Sequence, residues 1–223
     1  MIVRLHNLAA RPLRPVDAKA ITELLIASET TEFGGTDITE EDIQRAWQTP
    51  SFDLKTDAWS IVTRKGQLVG YADVRWDNAN ELLNSSVTVH PDYRNRGIGT
   101  LLIRLVEERA RQLVCNAQPG KRVVLSSLVS GLNEVAHRLF EREGYTFARS
   151  FWRLSLESDE VQEQLAVDLT IDIQDLFGVA NLHKRAGMYV ARQYQIYEKE
   201  LRADAEDCAD EAAKNMMSEP LAI

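Results

Sequence analysis

Two arginines and two glycines lie within six residues, at Arg94, Arg96, Gly97 and Gly99, between an apolar run and an amphipathic helical pattern. The unpaired N–H groups and the partial positive charge of a helix start attract anions. Glycine lets the main chain approach a ligand closely, and guanidinium groups are suited to phosphate. The turn therefore indicates either a pyrophosphate site or an ordinary helix start in which the glycines only ease the bend.

Two common nucleotide-binding motifs do not fit this turn. A P-loop ends in Gly-Lys followed by Ser or Thr, and the chain has no such ending here. The dinucleotide fingerprint needs a further glycine after Gly99, whereas Thr100, Leu101 and Leu102 follow. A phosphate site at this turn therefore belongs to neither class.

The elements that position the turn are predicted from apolar periodicity, caps and breakers. In chain order they are an extended segment at 11–15, helices at 16–28 and 39–47, strands at 59–63, 68–76 and 81–90, a helix from 98, a strand at 122–130, a helix from 133 and a strand region at 145–156. Asp17 and Thr39 are the predicted N-caps, and a bend is expected near Arg149. The hairpins predict antiparallel pairs, and the strand–helix–strand unit from Val87 to Leu128 predicts a parallel pair in a mixed sheet.

The charge of the chain is unevenly distributed along its 223 residues. Residues 157–223 carry 15 acidic and 6 basic residues, whereas residues 1–156 are nearly neutral. General nucleic-acid binding, which needs an excess of basic residues to replace counterions, is not expected. We therefore predict a main domain over residues 1–156 and an acidic C-terminal extension over residues 157–223.

Location is predicted from apolar content and cysteine usage. No apolar run approaches the roughly 20 residues that cross a bilayer, and the first residues lack the apolar segment of a secretory signal. Two cysteines far apart, Cys115 and Cys208, do not indicate a disulfide framework. The sequence thus predicts a cytoplasmic protein without a membrane partner, and no metal site is expected.

Two separate motifs resemble those of one known superfamily. Arg94-x-x-Gly97-x-Gly99, preceded by VTVHPDY, resembles the strand, Pro-x-Tyr and Arg/Gln-x-x-Gly-x-Gly/Ala turn of the GNAT acetyltransferases. The segment NEVAHRLFEREGY, from Asn133 to Tyr145, resembles the Asn-x-x-Ala-x-x-Leu-Tyr-x-x-x-Gly-Phe segment of that family. The resemblance implies an α/β (α+β) fold with a mixed, mostly antiparallel central sheet and helices on both faces.

The resemblance also implies a ligand, acetyl-CoA or another acyl-CoA, that serves as acyl donor. Main-chain N–H groups of the turn would bind the pyrophosphate, and the preceding strand would pair with the pantetheine arm. The N–H near Val89 would polarise the thioester carbonyl, and Asn133 would contact pantetheine or hold the strands apart while capping its helix. The implied cofactor-binding residues are Val87, Thr88, Val89, Arg94, Asn95, Arg96, Gly97, Ile98, Gly99, Thr100 and Asn133.

The implied reaction is direct transfer of the acyl group to an amine of a small molecule or a protein. The tyrosine that often serves as acid in the family is replaced by Phe140, which cannot donate a proton. A thiol pKa near ~8.5 makes the CoA thiolate a tolerable leaving group even so. The replacement leaves a second hypothesis, a non-catalytic acyl-CoA-binding regulatory module.

The sequence identifies no catalytic residue. An amine of pKa near ~10 must lose a proton before it attacks, so a base is needed. Glu81, at the start of the strand before the turn, lies about two residues too early to match the glutamate of the family. His90 and His137 are expected to be structural, while Phe33 and Trp47 are candidates for lining an acceptor groove.

The C-terminal extension resembles the end of the main domain. Its segment from Ala180, ANLHKRAG followed by MYVARQYQIYEKEL, is similar to HRLFEREG followed by YTFARSFWRLSL. This likeness predicts the last helix and strand of a shortened second unit, as in tandem members of the superfamily; the alternative is an acidic helix that packs on the main domain. Because a lone helix and strand cannot bury their apolar faces, we expect docking at the edge of the first sheet or on a second chain in a homodimer.

Overall fold

The computed structural model of the chain describes residues 3–5, 7–77, 82–115, 123–156, 166–171 and 188–201. The strands are β1 (Val3–Leu5), β2 (Leu8–Pro12), β3 (Ala58–Thr63), β4 (Leu68–Asp77), β5 (Leu82–Val89), β6 (Val123–Ser130), β7 (Thr146–Leu156), β8 (Ala166–Ile171) and β9 (Met188–Leu201). The helices are α1 (Ala18–Phe33), α2 (Glu40–Trp47), α3 (Ile98–Val114) and α4 (Glu134–Arg142). Within the described residues the strands form one sheet in the order β1-β2-β3-β4-β5-β6-β9-β7-β8.

Pairing within this sheet is mostly antiparallel. Among the described neighbours, β5 and β6 make the parallel pair, and every other pair runs antiparallel. The parallel pair is the one joined through α3, as expected for a strand–helix–strand unit. The predicted mixed, mostly antiparallel sheet is therefore confirmed.

Helices cover both faces of the sheet. One buried cluster contains Leu24 of α1 and Trp47 of α2 packed on Tyr71 of β4. The other contains Leu102 of α3 and Phe140 of α4, packed on the alternate residues of the central strands. No helix within the described ranges is both long and apolar enough to cross a membrane. The prediction of helices on both faces is confirmed.

Local sequence signals explain where α1 ends and where α2 begins. α1 ends at Phe33 because Gly34 takes a left-handed conformation, φ 79°, and returns its N–H to the carbonyl of Thr30. α2 begins after Thr39, whose side chain accepts from the N–H of Asp42 while the Asp42 carboxylate accepts from the N–H of Thr39. Thr39 is thus the cap that the sequence predicted. Asp17 precedes α1 as predicted, but its carboxylate accepts from Arg11 and from the N–H of Arg14 and makes no capping bond to the helix. α1 also runs beyond its predicted end at residue 28, as far as the glycine.

The strand β9 corrects the prediction for the C-terminal extension. It pairs with β6 from Val123↔Leu201 to Ser130↔Tyr194 and with β7 along its other edge. The expectation of docking at a sheet edge is wrong for this strand, because it has a neighbour on both sides. Residues 1–156 therefore lack an internal strand of the sheet.

The structure does not test the other two predictions for the C-terminal extension, its helix and its likeness to a second unit. The expected helix of the extension lies outside the described residues, and the likeness to a second unit stays a prediction. β7 is one continuous strand whose pairing with β9 shifts register between Phe147 and Arg149. That shift coincides with the bend that the sequence indicates near Arg149.

Candidate functional site

The two parallel strands separate halfway along their length and leave a cleft. β5 and β6 pair from Leu82↔Val124 to Ser85↔Ser127, and the hydroxyl groups of Ser85 and Ser127 are hydrogen-bonded to each other. Beyond that point β5 stays with β4, and β6 stays with β9. The gap beyond Ser85 and Ser127, which we call the cleft, is part of a cavity of about 450 Å³.

The end of β5 presents main-chain groups to this cleft. The N–H of His90 donates to the Val69 carbonyl of β4 at 3.0 Å. Because hydrogen-bonding direction alternates along a strand, Val87 and Val89 direct their N–H and C=O groups towards the cleft. The Val89 carbonyl also accepts from Nε of Arg94 at 3.4 Å. Thr88 lines the cavity, but its main chain faces β4, so only two of the three predicted strand residues can pair with an extended ligand.

The turn after β5, residues 94–100, forms the start of α3 and is called the glycine turn below. The N–H of Leu101 donates to the Gly97 carbonyl at 3.1 Å, which is the first bond of the helix. The N–H groups of Ile98, Gly99 and Thr100 precede that bond and have no partner within the helix. They converge at the positive end of the helix dipole, a geometry that binds anions.

The two glycines of the turn are needed for different reasons. Gly97 has φ 79° and open space where a Cβ would project, so its role is conformational. A Cβ on Gly99 would lie 2.6 Å from Cδ2 of Leu139 on α4, so this glycine permits close helix packing. Asn95 is also left-handed, with φ 60°, which the small polar side chain of asparagine tolerates.

The Arg94 side chain lies against α1, away from the start of α3. Its N–H donates to the Pro91 carbonyl at 3.3 Å, and its Nη2 donates to Glu32 at 2.7 Å and to Ser28 at 3.0 Å. The guanidinium group thus faces α1, not the start of α3. Its N–H and its guanidinium group are thus both paired within the protein.

The charge near the glycine turn comes from other arginines. Arg96 lies over the Tyr93 ring, 4.8 Å from its centroid, and donates to the Asp92 carbonyl at 2.8 Å. Arg142, at the end of α4, donates to the hydroxyl of Thr100 at 2.7 Å. Sequence analysis missed Arg142 because only the packing of α4 on α3 brings it to this place.

Asn133 has the capping role that the sequence indicated, whereas its contact with pantetheine stays a prediction. Its Oδ1 accepts from the N–H of Ala136 at 3.0 Å and caps α4. Its Nδ2 donates to Glu32 at 2.7 Å. Glu32 therefore joins Arg94 and Asn133 across the cavity, a contact that no local pattern could reveal.

The predicted cofactor residues divide into two groups by position. Those that line the cavity are Val87, Thr88, Val89, Arg94, Asn95, Gly99 and Asn133. Those just outside its lining, at the start of α3, are Arg96, Gly97, Ile98 and Thr100. The side chain of Ile98 belongs to the core, so only its main chain can contribute.

The opposite side of the cavity consists of side chains from α1, α2, β4 and β9, which we call the composite wall. Asp73 of β4 accepts from the Tyr71 hydroxyl at 2.6 Å and from Arg75 Nη2 at 2.6 Å. Burial, and then the neighbouring carboxylate, raises the pKa of Tyr71 well above its usual value. On β9, Tyr194 lines the cavity and packs on Phe33 with ring centroids 5.5 Å apart.

The remaining candidates from the sequence lie in structural positions or beyond the described residues. His90 accepts from the N–H of Asp92 at the cap of a short 3-10 turn, and His137 Nε2 lies 2.8 Å from the Ser130 carbonyl. Trp47 is buried between α2 and the sheet, whereas Phe33 lines the cavity. Glu81 lies outside the described residues.

Phe140 provides no proton donor. Its ring is buried against Tyr145 at 5.0 Å and Tyr197 at 5.8 Å. No group of three potential metal ligands occurs among the residues that the structure describes. The site therefore consists of main-chain donors on one side and paired charged side chains on the other.

Comparison with known proteins places the chain in a family. The sequence model described as the acetyltransferase (GNAT) family matches residues 19–145, more than half of the chain. No curated protein matches the chain.

Solved structures share the fold at low sequence identity. A GCN5-related N-acetyltransferase from Sphaerobacter thermophilus is 20% identical with a TM-score of 0.73, over 90% of this chain and 98% of that chain. The putative acetyltransferase yncA from Salmonella typhimurium, solved with its cofactor acetyl-CoA, is 15% identical with a TM-score of 0.55, over 90% and 97%. A phosphinothricin acetyltransferase from Sinorhizobium meliloti in complex with acetyl-CoA is 15% identical with a TM-score of 0.54, over 87% and 89%.

Proposed function

Because the chain belongs to the GNAT acetyltransferase family, we propose that it is an N-acyltransferase that moves an acetyl group from acetyl-CoA to an amine. The observation that carries this proposal is the cleft between β5 and β6, which leads to the open helix start of α3. Two related folds are solved with acetyl-CoA, which supports the same donor for this chain. The acceptor is an amine of a small molecule or of a protein.

The local wall of the cavity, residues 87–100, would bind the donor mainly through its main chain. The N–H groups of Ile98, Gly99 and Thr100 would receive the pyrophosphate, with Arg142 and Arg96 adding positive charge. The main-chain groups of Val87 and Val89 would pair with the pantetheine amides as a neighbouring strand does. This pairing directs the thioester to the closed end of the cleft, beside Ser85 and Ser127.

The thioester carbonyl would be polarised by main-chain donors that face the cleft. Of the two N–H groups with that orientation, that of Val87 lies nearer Ser85 than that of Val89, the position that the sequence indicated, and it is the one we assign to the carbonyl. A donor held rigidly by a strand needs little reorganisation during the reaction. Because Phe140 is a buried phenylalanine, the departing thiolate takes its proton from solvent or from another group in the cavity. A thiol pKa near ~8.5 makes that departure tolerable.

Matched glycine substitutions test the donor site. Gly97 and Gly66 both have positive φ, 79° and 83°, with open space at the Cβ position. Gly97→Ala and Gly66→Ala should therefore lose similar stability, about 1–2 kcal/mol. Only Gly97→Ala should weaken binding of CoA, by roughly tenfold or more in calorimetric titration, because its Cβ alters the turn that meets the pyrophosphate. Equal CoA affinity in both variants would contradict the site.

Measurement of turnover distinguishes an N-acyltransferase from a non-catalytic acyl-CoA-binding module. Free thiol is measured with acetyl-CoA and a panel of polyamines, amino acids, aminoglycosides and peptides with the N-termini of ribosomal proteins. We expect at least one amine to raise thiol release above hydrolysis. Tight CoA binding without any amine-dependent release would favour a non-catalytic acyl-CoA-binding module, the function that the buried Phe140 supports. A cytoplasmic location and a homodimer stay predictions.

A further inference from the structure

The part of the cavity next to β9 is lined by aromatic and apolar side chains. Phe33 of α1, Leu128 of β6 and Tyr194 of β9 lie there, and we call these three residues the aromatic end. Leu128 is 48% exposed although it belongs to an internal strand of the sheet. A large apolar side chain left open on the wall of a cavity is a surface that a ligand can cover.

The rings of the aromatic end are held in place by their neighbours. Tyr194 stacks on Phe151 of β7, with ring centroids 5.1 Å apart and planes inclined by 26°. It also contacts Phe33, with centroids 5.5 Å apart, and the guanidinium group of Arg192 lies 5.6 Å from the centroid of the Phe33 ring. Both rings are only half-buried. Because they are already ordered, little conformational freedom is lost when a ligand packs on them.

The aromatic end lies close to the closed end of the cleft. Leu128 directly follows Ser127, whose pair with Ser85 closes the cleft. In the β6–β9 ladder Tyr194 is opposite Ser130, two residues beyond Leu128, so these side chains share one face of the sheet. Two residues along β6 and one strand spacing separate the main chain of Leu128 from that of Tyr194, roughly 8 Å. A short chain between an amine and a ring spans such a distance.

The charged side chains of the cavity leave little attraction for a charged ligand body. Among the described residues that line the cavity, each charged side chain has a partner of opposite charge. The pairs are Glu29–Arg192, Glu32–Arg94 and Asp73–Arg75, with N···O distances of 2.6–2.8 Å. A carboxylate or a second ammonium group on the acceptor would have to break one of these partly buried pairs, which is costly. The cavity therefore favours an acceptor whose body is uncharged.

We propose that the aromatic end binds the body of the acceptor, and that this acceptor is an amine joined by a short alkyl chain to an aromatic ring. This assignment rests on the transferase function proposed above. An aromatic ring gains from burial and from the tilted or offset packing that aromatic side chains prefer. Tyr194 and Phe33 are specificity-determining residues that hold the ring while the amine lies beside the thioester. Because Tyr194 lies on β9, the C-terminal extension takes part in the choice of acceptor.

The test compares Tyr194→Ala with a matched control, Tyr189→Ala. Tyr189 lies on the same strand and is 45% exposed, but it does not line the cavity. Acetyl transfer is measured with phenethylamine and with ethylamine, which lacks the ring. We expect wild type to favour phenethylamine at least about 50-fold in kcat/KM, and Tyr194→Ala to lower this ratio about tenfold or more by raising KM. Tyr189→Ala should keep the ratio.

A conservative variant and two charged acceptors sharpen the test. Tyr194→Phe keeps the ring and should transfer to phenethylamine within about threefold of wild type. Spermidine carries further ammonium groups, and phenylalanine adds a carboxylate to the same ring. Both should be poorer acceptors than phenethylamine by about tenfold or more, because the charge pairs of the cavity oppose them. CoA affinity, measured by calorimetric titration, should stay within about twofold of wild type, since Tyr194 is remote from the glycine turn.

A second measurement needs no variant. Phenethyl alcohol carries the ring without the amine and is added to the wild-type protein during transfer to phenethylamine. We expect it to inhibit competitively, whereas ethanol at the same concentration does not, because the aromatic end recognises the ring. Calorimetric titration of the CoA-loaded protein with phenethyl alcohol then measures recognition of the ring independently of turnover.

The outcomes separate this assignment from the function on which it rests. A preference for ethylamine, spermidine or phenylalanine over phenethylamine, or equal ratios in Tyr194→Ala and Tyr189→Ala, overturns the assignment and leaves the transferase function intact. So does a lack of competition by phenethyl alcohol, which decides the matter if Tyr194→Ala does not fold. Binding of phenethyl alcohol without turnover of any amine overturns the transferase function and the acceptor role of the aromatic end. Loss of ring preference confined to Tyr194→Ala, with competition by phenethyl alcohol, supports the assignment.

Discussion

The local wall and the composite wall of the cavity obtain their chemistry from different parts of the chain. The local wall, residues 87–100, is one contiguous segment whose useful groups are main-chain N–H and C=O. The composite wall brings together Glu29, Asp73 and Tyr194, which lie on α1, β4 and β9. The positions of glycines and strand ends along the sequence determine a site that is made of main-chain groups. A site that is made of side chains from several elements forms only when the sheet is complete.

Removing β9 should have the largest effect, because it destroys the composite wall and the sheet together. A chain that ends after Leu156 lacks the strand between β6 and β7 and also loses the pair between Lys199 and Glu107 at 2.8 Å. We expect no cooperative thermal unfolding and no CoA binding, measured by circular dichroism and calorimetry. A chain that ends after Leu201 keeps every described strand and serves as the control. A folded, CoA-binding truncation at residue 156 would show that β9 is dispensable.

An intermediate effect is expected within the local wall from Gly99→Val. The added side chain must displace Leu139 of α4, which a Cβ already approaches to 2.6 Å, and such overpacking costs about 1–3 kcal/mol of unfolding free energy. CoA affinity should fall as well, because α3 begins at this turn. Chemical denaturation and calorimetric titration measure the two quantities.

The double variant Gly99→Val/Leu139→Ala gives the control for that prediction. It should recover part of the stability, since the smaller side chain makes room. If the two changes are additive, the clash with Leu139 is not the cause.

The smallest effect is expected from Arg192→Met, which alters the composite wall and leaves the local wall unchanged. Arg192 is paired with Glu29 and with Asp37, each through bonds of 2.8–2.9 Å. Desolvation raises the pKa of Asp37, but the charges of Arg192 and Arg153 outweigh it and hold the pKa below its usual value. The variant should therefore raise the pKa of Asp37, as measured by NMR titration of its carboxyl carbon.

The sign of the stability change follows from that direction. A carboxylate with a lowered pKa stabilises the fold above its unfolded pKa, near ~3.9, and this contribution is lost as the pH falls through the folded value. Wild type should therefore be more stable than Arg192→Met at neutral pH, and this difference in unfolding free energy should disappear in strong acid. CoA affinity should not change. Reduced CoA binding in Arg192→Met would show that the two walls are not independent.

Sequence patterns predicted where the groups of the local wall lie, because these groups follow one another along the chain, and their binding roles stay predictions. The exception is Arg94, whose type suited phosphate but whose side chain pairs with Glu32 of α1. No spacing rule relates residue 32 to residue 94, so the packing of α1 over the cleft decides that contact. The position of Asp73 was missed for the same reason.

The C-terminal extension shows the limit of local likeness. The segment around Arg192 resembles the one around Arg149, and it does form a strand, as predicted. The place of a strand within a sheet depends on pairing with residues far away, here Val123–Ser130 and Thr146–Leu156. Propensity and periodicity carry no information on that choice, which explains why an edge was expected and an internal position is found.

The position of β9 sets the order in which the protein can be completed during synthesis. β6 and β7 leave the ribosome well before their common neighbour, so each has an edge of unpaired N–H and C=O groups until Leu201 is made. Such edges pair readily with other chains, and strand pairing over long sequence separations is slow. The nascent chain is therefore most exposed to misassembly between the synthesis of β7 and the insertion of β9.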